Sequence, residues 1–335
     1  MGLDNLRKEI DAIDENILKL LNKRAYVAIK VAHIKRRNNF KFYSPAREKA
    51  VLDRITALNK GPIPNDALRF IFREIISASL SLEEPLKVAY LGPEGTFTNM
   101  AAVRHFGSSA KFIPVTSIKS VFDAVERGDS NYGLVPIENS NEGVVSSTLD
   151  MFMDYDLKIF AEVMIEVSQN LLSKTGDKTK IKKIYSHPHA IPQCKDWLET
   201  HMPDVRIYES LSTAKAAELA SKDTGIAAIA SELAAKIYDL KFVEKHIEDN
   251  KDNFTRFLVI AKDYQVRTGM DKTSIMVSVK DTPGALYKLL LPFKKVKINL
   301  TKIESRPSKR KAWEYIFFID MEGHIEDAQV KKTLN

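Results

Sequence analysis

The chain of 335 residues contains a single cysteine, Cys194. No intrachain disulfide can form, and a reducing compartment, the cytoplasm, is the expected setting. No run of 18 apolar residues is present, which excludes a membrane-spanning helix. The opening "MGLDNLRKEI" lacks the apolar core of an export signal and is already charged at Asp4. Gly2 invites a lipid-attachment reading, but Leu6 stands where that motif wants Ser or Thr. Neither a GK[ST] phosphate loop nor a G-x-G-x-x-G dinucleotide turn occurs. Internal repeats and aromatic–basic RNA motifs are missing too. The net charge of +7 is split between residues 1–85 and 269–335, around a slightly acidic middle. That distribution suits small anionic ligands better than nucleic acid.

What is present falls into three segments. Residues 1–84 read as helix throughout. Leu3, Leu6, Ile10, Ile13, Ile17, Leu20, Val27, Val31 and Ile34 step by threes and fours, with Arg24 in the one gap. "YSPAREKAVLDRI" predicts a second helix with Ser44 as N-cap and Pro45 in the first turn. "GPIP" at 61–64 breaks it, and a third helix is predicted from Asn65 to Leu82. A first helix of about 50 Å cannot bury its stripe in so small a segment, so the stripe is expected to pair with its copy in another subunit. Arg24 has two readings, a register-setting or snorkelling residue or a ligand-binding one. Lys35 lies near the same helical face, whereas Arg7 points about 100° away.

These residues, with Arg47, Glu48, Ser79 and Glu83, resemble the all-helical chorismate mutases, which are intertwined dimers. The resemblance implies that the partner subunit's Arg7 joins Arg24 and Arg47 on the substrate carboxylates. It implies that Lys35 and Glu83 flank the ether oxygen and that Glu48 and Ser79 orient the rest. Chorismate to prephenate is an intramolecular rearrangement without a nucleophile or a cofactor. Catalysis there means holding a folded dianion and stabilising charge on the breaking C–O bond. The enteric representative has glutamine where this chain has Glu83, and a carboxyl donates a hydrogen bond only when protonated. Ser44 stands at a position that is acidic in that relative, which leaves its part in the site open.

From residue 86 to 266, short apolar strands alternate with helical stretches such as "SIKSVFDAVERG", which argues α/β lobes. "YLGPEGTFTNMAA" is a strand, a glycine loop and a helix start, a setting suited to an anion. Together with "GLVPIENSNEGVV", "SHPHAIPQC" and "DNFTRFLVIA", it resembles prephenate dehydratase. That resemblance implies two lobes like those of periplasmic solute-binding proteins, with the site in the cleft. Thr255 is the implied proton donor. Thr96, Thr98, Glu138, Asn139, Ser186, Gln193 and Arg256 are the implied neighbours, although Arg256 has the alternative of an ion pair within its lobe. His187 and His189 lack a third metal ligand nearby, so no metal and no cofactor is expected.

Residues 272–335 read β-α-β-β-α, one strand short of a ferredoxin-like unit, either because the chain is cut short or because its natural form is. "DTPGALYKLL" and "KIESRP" resemble the amino-acid-sensing ACT domain. In that family Gly284, Ala285, Leu286, Glu304, Ser305, Arg306 and Pro307 occupy the positions that meet across subunits around phenylalanine. The open sheet edge predicts weakened feedback. The whole is read as a multi-domain homodimer or homotetramer. Its first two domains convert chorismate to prephenate and prephenate to phenylpyruvate, under inhibition by phenylalanine. Two rivals are a chain that retains one activity and a non-catalytic phenylalanine sensor on a solute-binder scaffold.

Overall fold

The structure is a computed structural model that describes residues 2–38, 40, 43–280, 282–307 and 315–334. It separates into two compact units, Met1–Tyr264 and Gln265–Asn335. The first unit begins with helices α1 (Leu3–Arg37), α2 (Pro45–Leu58) and α3 (Asn65–Glu83). Ser44 caps α2 by accepting from the Arg47 amide, with Pro45 in the first turn, as its sequence predicts. Helix α1 packs along α3 but buries only Ala32 fully, and its apolar stripe stays exposed from Leu3 to Ile34.

The rest of this unit is two α/β lobes. The first holds a sheet in the order β2-β1-β3-β11-β5, with β4 beside β3. Its strands are β1 (Lys87–Leu91), β2 (Lys111–Val115), β3 (Tyr132–Asn139), β4 (Gly143–Val144), β5 (Lys158–Glu166) and β11 (Phe254–Ala261). Helices α4 (Phe97–Phe106), α5 (Ile118–Arg127) and α6 (Ser146–Asp154) accompany it. Strand β1 lies parallel between β2 and β3, which explains why Val88, Ala89 and Tyr90 are all buried. The second lobe holds β10-β6-β9-β7-β8: β6 (Asn170–Ser173), β7 (Lys183–Ser186), β8 (Arg206–Glu209), β9 (Ile226–Ala230) and β10 (Lys241–Glu244). Its helices are α7 (Lys195–His201), α8 (Thr213–Lys222) and α9 (Glu232–Ile237). The alanine-rich face of α8 lets that helix lie close on β9. The chain crosses between lobes twice, before β6 and before β11, so the end of β3 and the start of β11 face residues of the second lobe.

The helices are seated on the first lobe by specific contacts. Tyr43, just before α2, is buried in the aromatic core with Phe106, Tyr132 and Phe160, and its hydroxyl lies 3.4 Å from His105 Nε2. Gly107 ends α4 at φ 76°, and a Cβ there would lie 2.4 Å from Cβ of Ser77 on α3. Only glycine meets both demands. Arg73 of α3 donates to the Arg104 carbonyl at 3.2 Å.

The second unit is β12 (Lys272–Val279), α10 (Ala285–Val296), β13 (Leu300–Pro307), β14 (Tyr315–Glu322) and α11 (Ala328–Leu334). The sheet order is β12-β14-β13, with Phe293, Met321 and Val330 in its core. The four residues of "ESRP" lie in β13, Leu300–Pro307. No helix among the described residues is long and apolar enough to cross a membrane.

Candidate functional site

Between α1 and α3 lies a row of polar groups. Lys35 Nζ is 3.0 Å from Glu83 Oε2, with Glu83 buried and Lys35 mostly covered. Arg36 donates to the Glu83 carbonyl at 2.7 Å. Arg24 donates to the Ser79 hydroxyl and, at 3.2 Å, to the Ile75 carbonyl. Partial burial lowers the Arg24 pKa, and the Glu83 charge opposes that shift. Ser79 and Glu83 are one turn apart, so both meet α1 on one face. The structure therefore gathers Arg24, Lys35, Ser79 and Glu83. Arg47 is exposed on α2. Glu48 is turned to Arg73, 3.8 Å away, and its burial raises its pKa while Arg73 lowers it. Arg7 is exposed and pairs with Asp4 at 3.7 Å.

The second cluster lies where β3, β11 and the two crossings meet. Asn139 Oδ1 accepts from the backbone N–H groups of Asn141 (2.9 Å) and Glu142 (3.0 Å). That fixes its amide orientation. Its Nδ2 donates to Thr255 Oγ1 at 2.9 Å and to Asn253 Oδ1 at 2.8 Å. Asn253, fully buried, passes the direction on, with Nδ2 donating to Gln193 Oε1 at 2.9 Å. Gln169 Nε2 donates to that same oxygen at 3.2 Å. Each amide thus has one allowed orientation. Because Thr255 Oγ1 is an acceptor in this chain, its own proton remains to be donated.

The other expected residues have local duties. The Thr96 hydroxyl accepts from the Asn99 amide as the N-cap of α4 and donates to the Pro93 carbonyl at 3.0 Å. It is committed to its own loop, so what the loop end offers an anion is the first-turn N–H groups of α4. Thr98 is buried in that turn. The loop rests on the second lobe, where Ser231 Oγ donates to the Gly95 carbonyl at 2.9 Å. Ser186 is buried and donates to the Ile229 carbonyl at 2.8 Å. Arg256 Nε donates to Glu162 Oε2 at 2.8 Å, the ion pair left open as its alternative. Glu138 of β3 pairs in register with Arg256 of β11. His187 Nδ1 accepts from the His189 amide at 3.2 Å, and burial lowers the His187 pKa. Burial pushes the Cys194 thiol up, out of the nucleophilic range. No three potential metal ligands gather among the described residues.

In the second unit a cavity of about 210 Å³ is lined by Thr282, Gly284, Ala285, Leu286, Tyr315 and Phe317, among others. Gly284 adopts φ 79° at the entry to α10. Glu304, Ser305, Arg306 and Pro307 lie along β13 and do not line that cavity.

Three family profiles match the chain in sequence: chorismate mutase type II over residues 6–84, prephenate dehydratase over 88–265 and the ACT domain over 273–335. The bifunctional chorismate mutase/prephenate dehydratase of Aquifex aeolicus (strain VF5) is 52% identical over 336 residues, covering 99% of this chain and 93% of the relative. The chain belongs to the bifunctional chorismate mutase/prephenate dehydratase family. Its counterpart in Pseudomonas aeruginosa is 46% identical over 340 residues, again covering 99% of this chain and 93% of the relative. Among solved structures, prephenate dehydratase from Arthrobacter aurescens in complex with L-Phe matches with TM-score 0.69 at 35% identity, over 74% of this chain and 84% of that one. As a member of the bifunctional family the chain is an enzyme of two activities, an isomerase on its helices and a carbon–oxygen lyase in its α/β lobes. Asn253 and Gln169 escaped the sequence reading. The first sits inside the quoted "DNFTRF", and the second had no motif to mark it.

Proposed function

We propose that chorismate binds between α1 and α3, displaces Lys35 from Glu83, and is gripped by Arg24, Arg47 and the partner subunit's Arg7. The row of Arg24, Lys35, Ser79 and Glu83 supports this reading. Bidentate guanidinium contacts suit the two carboxylates. The Lys35 ammonium meets the charge that develops on the ether oxygen. No bond to the protein forms at any stage.

Prephenate then occupies the interlobe cleft. The C–CO₂ bond breaks, its electron pair enters the ring, and the ring hydroxyl departs. The departing oxygen takes a proton and leaves as water, so phenylpyruvate, CO₂ and water are the products. Thr255 Oγ–H donates the hydrogen bond that meets the leaving oxygen. A free threonine is a weak acid, so this contact works by stabilising developing hydroxide until the proton is replenished from solvent. The observation that carries the reading is the Asn139 donation at 2.9 Å, which leaves the Thr255 proton to face a ligand.

The second unit senses phenylalanine, with Gly284, Ala285 and Leu286 beside the ligand and Glu304, Ser305, Arg306 and Pro307 reaching it from a partner subunit. The protein works as a homodimer or homotetramer in the cytoplasm. The deciding experiment incubates purified protein with chorismate and follows phenylpyruvate, with and without phenylalanine. Formation that phenylalanine suppresses is the expected result. Tight phenylalanine binding with no phenylpyruvate from either chorismate or prephenate would leave only a sensor.

A further inference from the structure

Gln169 lies at the first crossing between lobes, just before β6, and is 2% exposed. Its backbone N–H donates to Glu248 Oε2 at 2.8 Å, which pins the main chain. Its side-chain Nε2 donates to Gln193 Oε1, while its Oε1 is buried with no hydrogen-bond partner among the described residues. A buried unpaired carbonyl is costly, so a freely rotating amide would turn to relieve it. Gln169 cannot turn. Its oxygen would then face Gln193 Oε1, which already accepts from Asn253. Gln193 cannot turn to help, because Asn253 Nδ2 would lose its acceptor. Asn253 cannot turn, because its Nδ2 would then face the Nδ2 of Asn139. Asn139 is locked by two backbone N–H groups.

We infer that Gln169 is a positioning residue of the dehydratase: its amide donor closes a one-way chain of hydrogen bonds through Gln193, Asn253 and Asn139 that aims the Thr255 proton into the cleft. The inference rests on the reading of Thr255 as the donor to the leaving hydroxyl. Gln169 itself touches no reacting atom. Its N–H bond keeps the Gln193 oxygen in place against Asn253. Without it, the Gln193 oxygen keeps only the Asn253 donor, and the chain through Asn253 to Asn139 is less firmly seated at its far end. Direct coupling along such a chain exceeds what single bonds contribute.

The chain's direction supplies the test. Replacing Gln169 by Glu exchanges the donor for a group that donates only when protonated. Its charged neighbours are Glu248 at the backbone N–H, His246 beside Glu248 at 3.3 Å, Glu142 3.5 Å from Gln193 Nε2, and Asp249, whose N–H donates to the Gln193 carbonyl at 2.8 Å. The three nearby carboxylates and burial both favour the protonated form of a glutamate placed there.

For Gln169→Glu, the dehydratase kcat is expected to fall by about tenfold or more near pH 8 and to recover toward wild type near pH 5.5, a window set by a carboxyl raised above its ordinary value of about 4.3. KM for prephenate stays within about twofold, because Gln169 itself makes no contact with the substrate and Gln193 keeps its Asn253 donor. Gln169→Leu is low at every pH, and both variants keep full mutase activity with chorismate, which reports that the chain is folded. A Gln169→Glu profile parallel to wild type overturns the inference. So does a Gln169→Glu activity low at every pH, which is what a purely structural role gives, or a Gln169→Leu variant with wild-type kcat. Thr255→Ala, assayed alongside, separates the two readings. If it retains dehydratase activity, the donor assignment fails first; if it is inactive while Gln169→Glu behaves as wild type, only the role of Gln169 falls.

Discussion

Asn139 Nδ2 stands 2.9 Å from Thr255 Oγ1, and the amide is the donor because its oxygen is held by two backbone N–H groups. A hydroxyl that receives a hydrogen bond here keeps its own proton for something else. Removing that proton by Thr255→Ala is expected to cut phenylpyruvate formation from prephenate by about 10² or more, the scale of a lost proton donor. Thr255→Ser should retain most of the rate. Asn139→Asp should be nearly as damaging as Thr255→Ala, since a carboxylate there accepts the threonine proton and draws it away from the cleft. Mutase assays on the same preparations should be unchanged. Near-wild-type dehydratase rates in Thr255→Ala would mean that the hydroxyl only packs.

Lys35 and Glu83 set the second prediction. Lys35 Nζ lies 3.0 Å from Glu83 Oε2, and in the mutase site proposed above its ammonium meets the charge that develops on the ether oxygen. Lys35→Ala is expected to lower mutase kcat by about 10²–10³, as loss of an oxyanion donor does, with the dehydratase unaffected. Glu83→Gln removes the partner that Lys35 meets at 3.0 Å, so mutase kcat should change while the dehydratase rate does not. A mutase kcat equal to wild type would remove Glu83 from the site.

The helical segment was legible because its signals are local. The apolar stripe of α1, Ser44–Pro45 at the start of α2 and the break at residues 61–64 each act within a turn or two. The strands of the first lobe that lie buried on both faces, such as β1, announced themselves as short apolar runs. Strands β5, β6 and β10 did not. "KIFAEVMIE" mixes alanine, methionine and glutamate with its branched residues, and β6 and β10 are four residues each, too short for any period to show. In the site, residue types were readable but directions were not. Arg256 reads equally as a ligand cation or as half of an ion pair within its lobe, and only the register of β11 against β5 brings it to Glu162. Thr96 looked like a ligand hydroxyl because an N-cap and an anion site share the same residue preference. Gln169 depends on partners 24 and 79 residues away, a relation that no local pattern encodes.

His105 ties the helical segment to the first lobe through Tyr43, and loss of hydration around its ring pushes its pKa from 6.5 down to about 4. The folded state therefore keeps this histidine neutral while the unfolded chain protonates it below about pH 6.5. The unfolded state binds more protons between these two values, so stability falls as pH drops from about 6.5 to about 4 and the contribution of this group then levels off. The full effect is about 3 kcal/mol. His105→Phe keeps an aromatic ring against Phe106 and abolishes the titration. Its unfolding free energy in denaturant should depend less on pH than that of wild type across this window, by that amount. Equal slopes in the two proteins would show that the ring is hydrated in the native state.

The exposed stripe of α1 carries the last prediction. Leu3, Ile10, Ile13 and Leu20 are each more than half exposed, and Leu6 and Ile17 nearly so. In the oligomer proposed above a second copy covers this seam, and each large side chain so covered contributes about 1.5–3 kcal/mol. Ile17→Glu places a charge on the seam at a position that touches none of Arg24, Lys35, Ser79 or Glu83 in the hydrogen-bond and ion-pair network. If a second copy covers the stripe and brings Arg7 to the site, mutase kcat/KM should fall by about tenfold or more, the cost of burying one unpaired charge. It should also recover as protein concentration is raised, since mass action restores the pairing. Dehydratase activity, whose cluster lies wholly within one chain, should not follow. A variant that keeps wild-type mutase activity at nanomolar protein would show that the helical site is complete in a single copy and that the stripe serves another contact.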